Sequence, residues 1–148
     1  MAEAEHREVL DVSLEDLYNT ILDFESYPRF ASGVKSSRIN SREGDALIVG
    51  MELEMVKRID YVISVKHTKD AENKQAQVEW SLHSGSLFKK NNGRWLLKSL
   101  GNSKTEVIYK LEVDFNFTVP GFILKGLVQK SLPGAVKDFY EETRRRKK

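Results

Sequence analysis

His67, Arg38, Tyr61 and Tyr109 are the residues of this chain best suited to chemistry. An imidazole can act as general acid or base near neutral pH. A guanidinium can hold an anionic head group or polarise a carbonyl. A phenol is an apolar body with a hydrogen-bonding tip. Each also has a plain structural reading. A lone histidine at a strand end is more often a rim or core residue than a catalyst. Arg38 could equally face solvent, because Val34 and Ile39 set opposite parities for its strand. No carboxylate stands in sequence to orient His67, so a catalytic triad is unsupported. His6 lies near the start and His83 falls on the outward parity. Acidic residues and histidines do not cluster at metal-ligand spacing, and cysteine is absent. No metal, disulfide framework or other cofactor is therefore expected. Gly-x-Gly-x-x-Gly and Walker patterns are missing as well, which leaves nucleotide binding by those routes without support.

The elements that would position these residues follow from periodicity. Glu8 to Val12 reads as a short strand. Ser13 is then suited to an N-cap, with Asp16 as a weak capping-box partner and Val12 and Leu17 placed as a hydrophobic staple. Leu14, Leu17, Tyr18, Ile21 and Leu22 form one helical stripe. Pro28 predicts that this helix ends near Ser26 and that a brief second helix follows. Strands dominate from Val34 to Phe117. Leu47, Val49, Met51, Leu53 and Met55 alternate with polar or small residues, as do Ile59, Tyr61, Ile63, Val65 and His67. The bend between those two strands is expected near Val56 to Arg58. Val78, Trp80 and Leu82 continue the pattern, and Gly85 is expected to mark a bulge. Asn92-Gly93 reads as a type I′ turn, and the GNSK sequence at 101–104 as another turn. Val107 to Phe117 is a long, strictly alternating strand. Ile123, Leu124, Leu127, Val128, Leu132, Val136, Phe139 and Tyr140 then recur at helical spacing. Pro133-Gly134 should kink or break that helix.

The chain has 148 residues, 40% hydrophobic and 31% charged, which suits a single domain over residues 1–148. The net charge is +2, yet five positive charges sit in Arg144, Arg145, Arg146, Lys147 and Lys148, leaving the rest at −3. A body of that charge does not suggest a nucleic-acid face, and no specific DNA binding is expected. The tail at 144–148 reads as a solvated, frayed end that could make transient contact with a membrane or a ribosome. No secretion signal or membrane-spanning run is evident, and a cytoplasmic location is expected.

About seven antiparallel strands with one face wet need a cover for the other face. The long C-terminal helix is the available cover. The fold class is therefore α+β. A curved sheet wraps around a long kinked helix, with one or two short helices after the first strand, in a helix-grip arrangement. Specific residues carry a family resemblance over nearly the whole chain. They are Leu22-Asp23 with Tyr27-Pro28 and Phe30, Val34-Lys35-Ser36, and Val78 to Leu82 with Gly85. Gly93-Arg94-Trp95 with Leu97, Thr105 to Val107 with Tyr109, and Val119 to Ile123 complete the set. In their order and spacing they resemble the polyketide cyclase/dehydrase and lipid-transport family of the START (SRPBCC) superfamily. Similar bacterial proteins include coenzyme Q-binding proteins and a ribosome-association toxin.

The resemblance implies a cavity between sheet and helix that holds an apolar small molecule. Inward alternation supplies candidate ligand-binding walls: Met51, Leu53, Tyr61, Ile63, Trp80, Leu82, Trp95, Tyr109, Leu111, Val113 and Phe115. The helix would add Phe122, Ile123, Leu127 and Val128. Pattern alone equally describes a filled core. The function expected first is binding, sequestration or transport of a lipid, quinone or polyketide-like molecule. One alternative is an aromatase/cyclase-type enzyme using His67, Arg38, Tyr61 and Tyr109 for enolisation and dehydration. Another is a ribosome- or protein-interaction module. The segment VPGFILKGLVQK, with Lys125 and Lys130, reads as the buried face of the covering helix or as a ligand gate or membrane-surface element.

Overall fold

The computed structural model describes residues 2–44, 46–54 and 58–146. β1 (Ala2–Leu10) leads into α1 (Leu14–Leu22), a 3-10 turn (Phe24–Ser26) and the one-turn α2 (Tyr27–Phe30). Six more strands follow: β2 (Val34–Glu43), β3 (Ala46–Glu54), β4 (Arg58–Asp70), β5 (Gln75–Ser84), β6 (Phe88–Gly101) and β7 (Lys104–Phe115). α3 (Gly121–Arg146) closes the chain. All seven strands join one antiparallel, curved sheet in the order β1-β7-β6-β5-β4-β3-β2. β1 and β2 are neighbours in sequence but opposite edges of the sheet. The segment 11–33, carrying α1, the 3-10 turn and α2, must therefore cross from edge to edge. That crossing and α3 together cover one face of the sheet, the helix-grip arrangement expected from the pattern.

β1 is longer than its sequence suggests. It pairs with β7 from Ala2↔Val113 to Leu10↔Thr105. Its charged alternation (Glu3, Glu5, Arg7) belongs to an edge strand with a wet outer face, where charge also discourages unwanted pairing. Ser13 caps α1 as expected. Its backbone is extended (ψ 152°) and its Oγ accepts from the Asp16 N–H at 3.2 Å. Leu17, Tyr18 and Ile21 turn inward from this helix. α1 stops at Leu22, short of Ser26, because Asp23 leaves helical geometry (φ −85°, ψ 64°) and the chain tightens into the 3-10 turn. Pro28 then sits in the first turn of α2, where its missing N–H costs nothing.

Asn92-Gly93 is not a turn. Both residues lie inside β6, and Gly93 pairs with Trp80 on one side and Leu111 on the other. The glycine is there for space. A Cβ at that position would lie 2.3 Å from Trp80 Cζ2 and 2.5 Å from the Lys110 carbonyl oxygen. The real β6–β7 turn is the GNSK sequence, where Asn102 and Ser103 take the positive φ values (53° and 57°) that a tight hairpin needs. Gly85 marks the β5–β6 connection rather than a bulge within a strand. Its φ is 146°, and a Cβ would sit 2.8 Å from that of Tyr61. The expected β3–β4 bend falls between Glu54 and Arg58, and Val56 and Lys57 lie outside the described residues.

α3 stays helical through Pro133, so the helix does not break there. No helix among the described residues is long and apolar enough to cross a membrane. The end expected to fray is helical through Arg146, while Lys147 and Lys148 lie outside the described residues. Arg145 and Arg146 are engaged there. Arg145 Nη2 and Arg146 Nε lie 2.7 and 2.8 Å from Glu142 Oε2, and Arg146 Nη2 lies 2.8 Å from Asp23 Oδ2. Glu142 is 5% exposed. The Arg145 hydrogen bond, with that of Arg146, outweighs its burial and lowers its carboxyl from 4.5 to about 2. The stabilisation from this carboxylate is therefore complete above about pH 4.5 and is lost as pH falls toward 2. Glu142→Gln should cost about 2 kcal/mol at pH 7, the scale of hydrogen bonds to a charged group. In urea unfolding, the gap between parent and variant should narrow as pH drops from 4.5 toward 2. A gap independent of pH would show that the carboxylate's charge contributes nothing.

Candidate functional site

The space between the sheet and its helical cover is not filled. A cavity of about 500 Å³ lies there, within the size range of small-molecule sites. Its floor comes from alternate residues of β3 to β7. Its roof is Ile21, Phe24 and Tyr27 from the edge-to-edge crossing, and Ala135 and Phe139 from α3. The exposed members of the lining, Ser32, Gly33, Glu54, Lys130 and Gly134, mark the mouth. Asp138 holds one side of that mouth in place, accepting from the Ser32 N–H at 2.9 Å.

Aromatic rings make up much of the wall. Trp95 stacks on Tyr109 at 4.3 Å between centroids and meets Phe139 edge-on at 5.1 Å. Trp80 leans toward Tyr109 at 5.8 Å. Phe139 also meets Tyr27 and Phe30, which ties α2 to α3. Tyr27 donates a hydrogen bond to the Ile21 carbonyl, so this roof residue is already partnered.

The polar groups inside are few and ordered. β5 and β6 stop pairing at Trp80↔Gly93. Just beyond, the Trp80 indole N–H donates to Asn91 Oδ1 at 3.1 Å. An indole nitrogen can only donate, so the Asn91 oxygen must face it. The amide nitrogen is then left for the Tyr61 hydroxyl, with which Asn91 also interacts. Tyr61 points its own hydroxyl at the Met51 sulfur, 3.4 Å away, a weak acceptor. The Tyr109 hydroxyl has no hydrogen-bond partner among the described residues. Burial raises the pKa of Tyr27, Tyr61 and Tyr109; neighbouring phenols add to this for Tyr27 and Tyr109, and the Asn91 hydrogen bond only partly offsets it for Tyr61. All three therefore stay protonated at neutral pH and can act as donors.

The family model for polyketide cyclase/dehydrase and lipid transport matches residues 10–140. The chain belongs to that family. Solved structures share its fold over nearly the full length. A START superfamily protein from Mycobacterium smegmatis is 23% identical, covers 98% of this chain and 99% of its own, and has a TM-score of 0.80. Human StAR-related lipid transfer protein 5 is 10% identical over 99% of this chain and 77% of its own, at a TM-score of 0.85. The Zhui aromatase/cyclase from Streptomyces sp. R1128 is 10% identical over 99% of this chain and 95% of its own, at 0.82. At such identities the likeness shows the fold alone. No relative emerges among curated protein sequences.

Within this family fold, the structure places Met51, Leu53, Tyr61, Ile63, Trp80, Trp95, Tyr109, Leu111 and Val113 on the cavity lining. Leu82 and Phe115 lie off it. Phe115 is buried and stacked on Phe88 at 5.2 Å instead. Phe122 and Ile123 do not line it either, being 80% and 41% exposed. Among the described side chains, α3 first becomes buried at Leu132, about two and a half turns beyond the start of its apolar stripe at Ile123. The side chains of Leu127 and Val128 lie outside those described. His67 has the inward parity expected but sits under α1, joined to the Tyr18 hydroxyl at 2.8 Å and absent from the lining. Arg38 is on the outer face, where its Nε donates to Asn40 Oδ1 at 3.2 Å beside Gly50.

Asn91 is the polar site residue that sequence reading missed. In the run Asn91-Asn92-Gly93 it looked like part of a turn, and only Trp80 resting on Gly93 reveals a strand. Asn91→Ala should cost about 2 kcal/mol, since it takes the acceptor from the half-buried Trp80 indole N–H and removes a buried side chain. Chemical denaturation would show this, and tryptophan fluorescence of the folded variant should shift. Unchanged stability would mean that the Trp80–Asn91 bond does not order the site.

Proposed function

We propose that this protein binds, sequesters or carries a hydrophobic small molecule between the sheet and α3. The observation that carries the reading is the cavity itself, an aromatic and aliphatic chamber of about 500 Å³ with its charged lining residues at the mouth. Burying apolar ligand surface contributes about 25 cal/mol per Å² before the costs of association. Family membership supports the reading, since lipid transport is part of the family's description. The lining residues given above are the proposed contacts. Acid–base catalysis has weaker support here, because His67 and Arg38 stand away from the chamber and the phenols are held protonated.

Native mass spectrometry of protein purified without detergent tests the proposal. A bound apolar species, or stoichiometric uptake of the neutral probe N-phenyl-1-naphthylamine, is the expected result. Neither bound species nor uptake would overturn it.

A further inference from the structure

Charged groups and hydrogen-bonding phenols occupy different parts of the cavity. Its charged lining residues are Glu54, Lys130 and Asp138, and all belong to the mouth. Asp138 is committed to the Ser32 N–H, and Glu54 lies near Lys35 and Arg58 at 3.9 and 3.7 Å. No cationic side chain among the described lining residues stands deeper, so a carboxylate or phosphate carried into the chamber would lose its water without gaining a counter-charge. Such burial is prohibitively costly.

A neutral oxygen meets different conditions. The Tyr109 ring is fixed, stacked on Trp95 and flanked by Trp80. Its hydroxyl lines the cavity without a partner among the described residues. The Tyr61 proton is spent on a thioether, which a carbonyl oxygen would readily outcompete. A phenol has one proton to give; that of Tyr109 is free among the described residues, and that of Tyr61 is held only by a weak acceptor.

We propose that the preferred ligand is an uncharged, largely apolar molecule bearing an oxygen acceptor, and that the Tyr109 hydroxyl donates a hydrogen bond to that oxygen. The Tyr61 hydroxyl is the second donor to the same ligand. The proposal rests on the reading of the cavity as a ligand site and adds the ligand's chemical class and the residue that selects it. The tryptophan faces beside Tyr109 favour an aromatic frame for the apolar part.

Three probes on one ring system separate the possibilities: naphthalene, 2-acetylnaphthalene and 2-naphthoate, titrated by displacement of N-phenyl-1-naphthylamine. The acetyl compound should bind about fivefold more tightly than naphthalene, the scale of one neutral hydrogen bond. The naphthoate anion should bind more weakly than either. In Tyr109→Phe the acetyl-to-naphthalene affinity ratio should fall, with only the Tyr61 donor left, and in the Tyr61→Phe, Tyr109→Phe double variant it should fall to about one. If naphthalene and the fluorescent probe fail to bind at all, the cavity reading itself falls, and this inference with it. If they bind but the ratio is unchanged in Tyr109→Phe, or naphthoate binds best, the cavity reading stands and the assignment of Tyr109 and of a neutral ligand is overturned.

Discussion

Ala135→Trp should weaken ligand uptake at least about 30-fold while leaving the fold in place. Ala135 faces the cavity from α3 and is half-buried. An indole there would point into about 500 Å³ of unfilled space rather than into packed neighbours. Overpacking normally costs about 1–3 kcal/mol because there is nowhere for added atoms to go. Here the empty volume relieves that cost, so stability should change by less than about 1 kcal/mol. The ligand, by contrast, loses the region between α3 and the Trp95–Tyr109 wall. Affinity for N-phenyl-1-naphthylamine should drop at least about 30-fold, roughly 2 kcal/mol. Fluorescence titration and thermal melts of the same samples check both halves. A well-folded variant that still takes up probe at the parental affinity would show that the probe binds elsewhere.

Gly93→Ala should be the most damaging single-methyl addition in the chain. The backbone at Gly93 is not left-handed, so alanine suffers no conformational strain there. The cost is purely steric. The new methyl would approach the Trp80 ring to 2.3 Å and the Lys110 carbonyl to 2.5 Å. The ring could swing away, but only by breaking its hydrogen bond to Asn91. The carbonyl belongs to the β6–β7 ladder and cannot move without disturbing the Arg94↔Lys110 pairing. A loss of about 3 kcal/mol is expected, at the upper end of overpacking effects. This would lower Tm by about 6–12 °C for a domain of this size. Trp80→Ala in the same background should recover only part of the loss, because the carbonyl clash remains. Full recovery would place the whole conflict in the ring, and no loss at all would mean that the strands separate easily at this point.

The sheet and its cover were legible because they depend on period and order. Ile59, Tyr61, Ile63 and Val65 alternate cleanly, and all four are buried on one face. Ser13 caps α1 by the local chemistry its sequence announces. The errors have a common cause: a contact from a distant strand decided the local conformation. Asn92-Gly93 has the composition of a turn, yet the glycine serves Trp80, thirteen positions earlier in sequence. The first strand read as Glu8 to Val12, and the charged residues before it join β1 because β7 supplies their partner. Phe122 and Ile123 share the apolar stripe of α3, but periodicity does not say where along a helix the sheet begins.

The candidate site divides in the same way. Strand parity found most of the floor, since inward residues are shared by a filled core and a hollow one. Parity could not separate those two cases, because volume depends on how far the helices stand off the sheet. It also could not find the roof. Ile21, Phe24 and Tyr27 read as the buried side of a short helix and its end, and became cavity walls only because the edge-to-edge crossing carries them over the sheet. His67 shows the opposite case. It has inward parity, but α1 lies above it, and its partner is Tyr18 rather than a ligand.

A crystal structure of the protein soaked with 2-bromonaphthalene tests the central claim most directly, because bromine can be located by anomalous scattering independently of any fitted ligand. The account predicts a single strong bromine peak between the Trp95–Tyr109 wall and Ala135 of α3, with the surrounding side chains little moved. A cavity closed by its own side chains, with bromine found only on the outer surface, would contradict it.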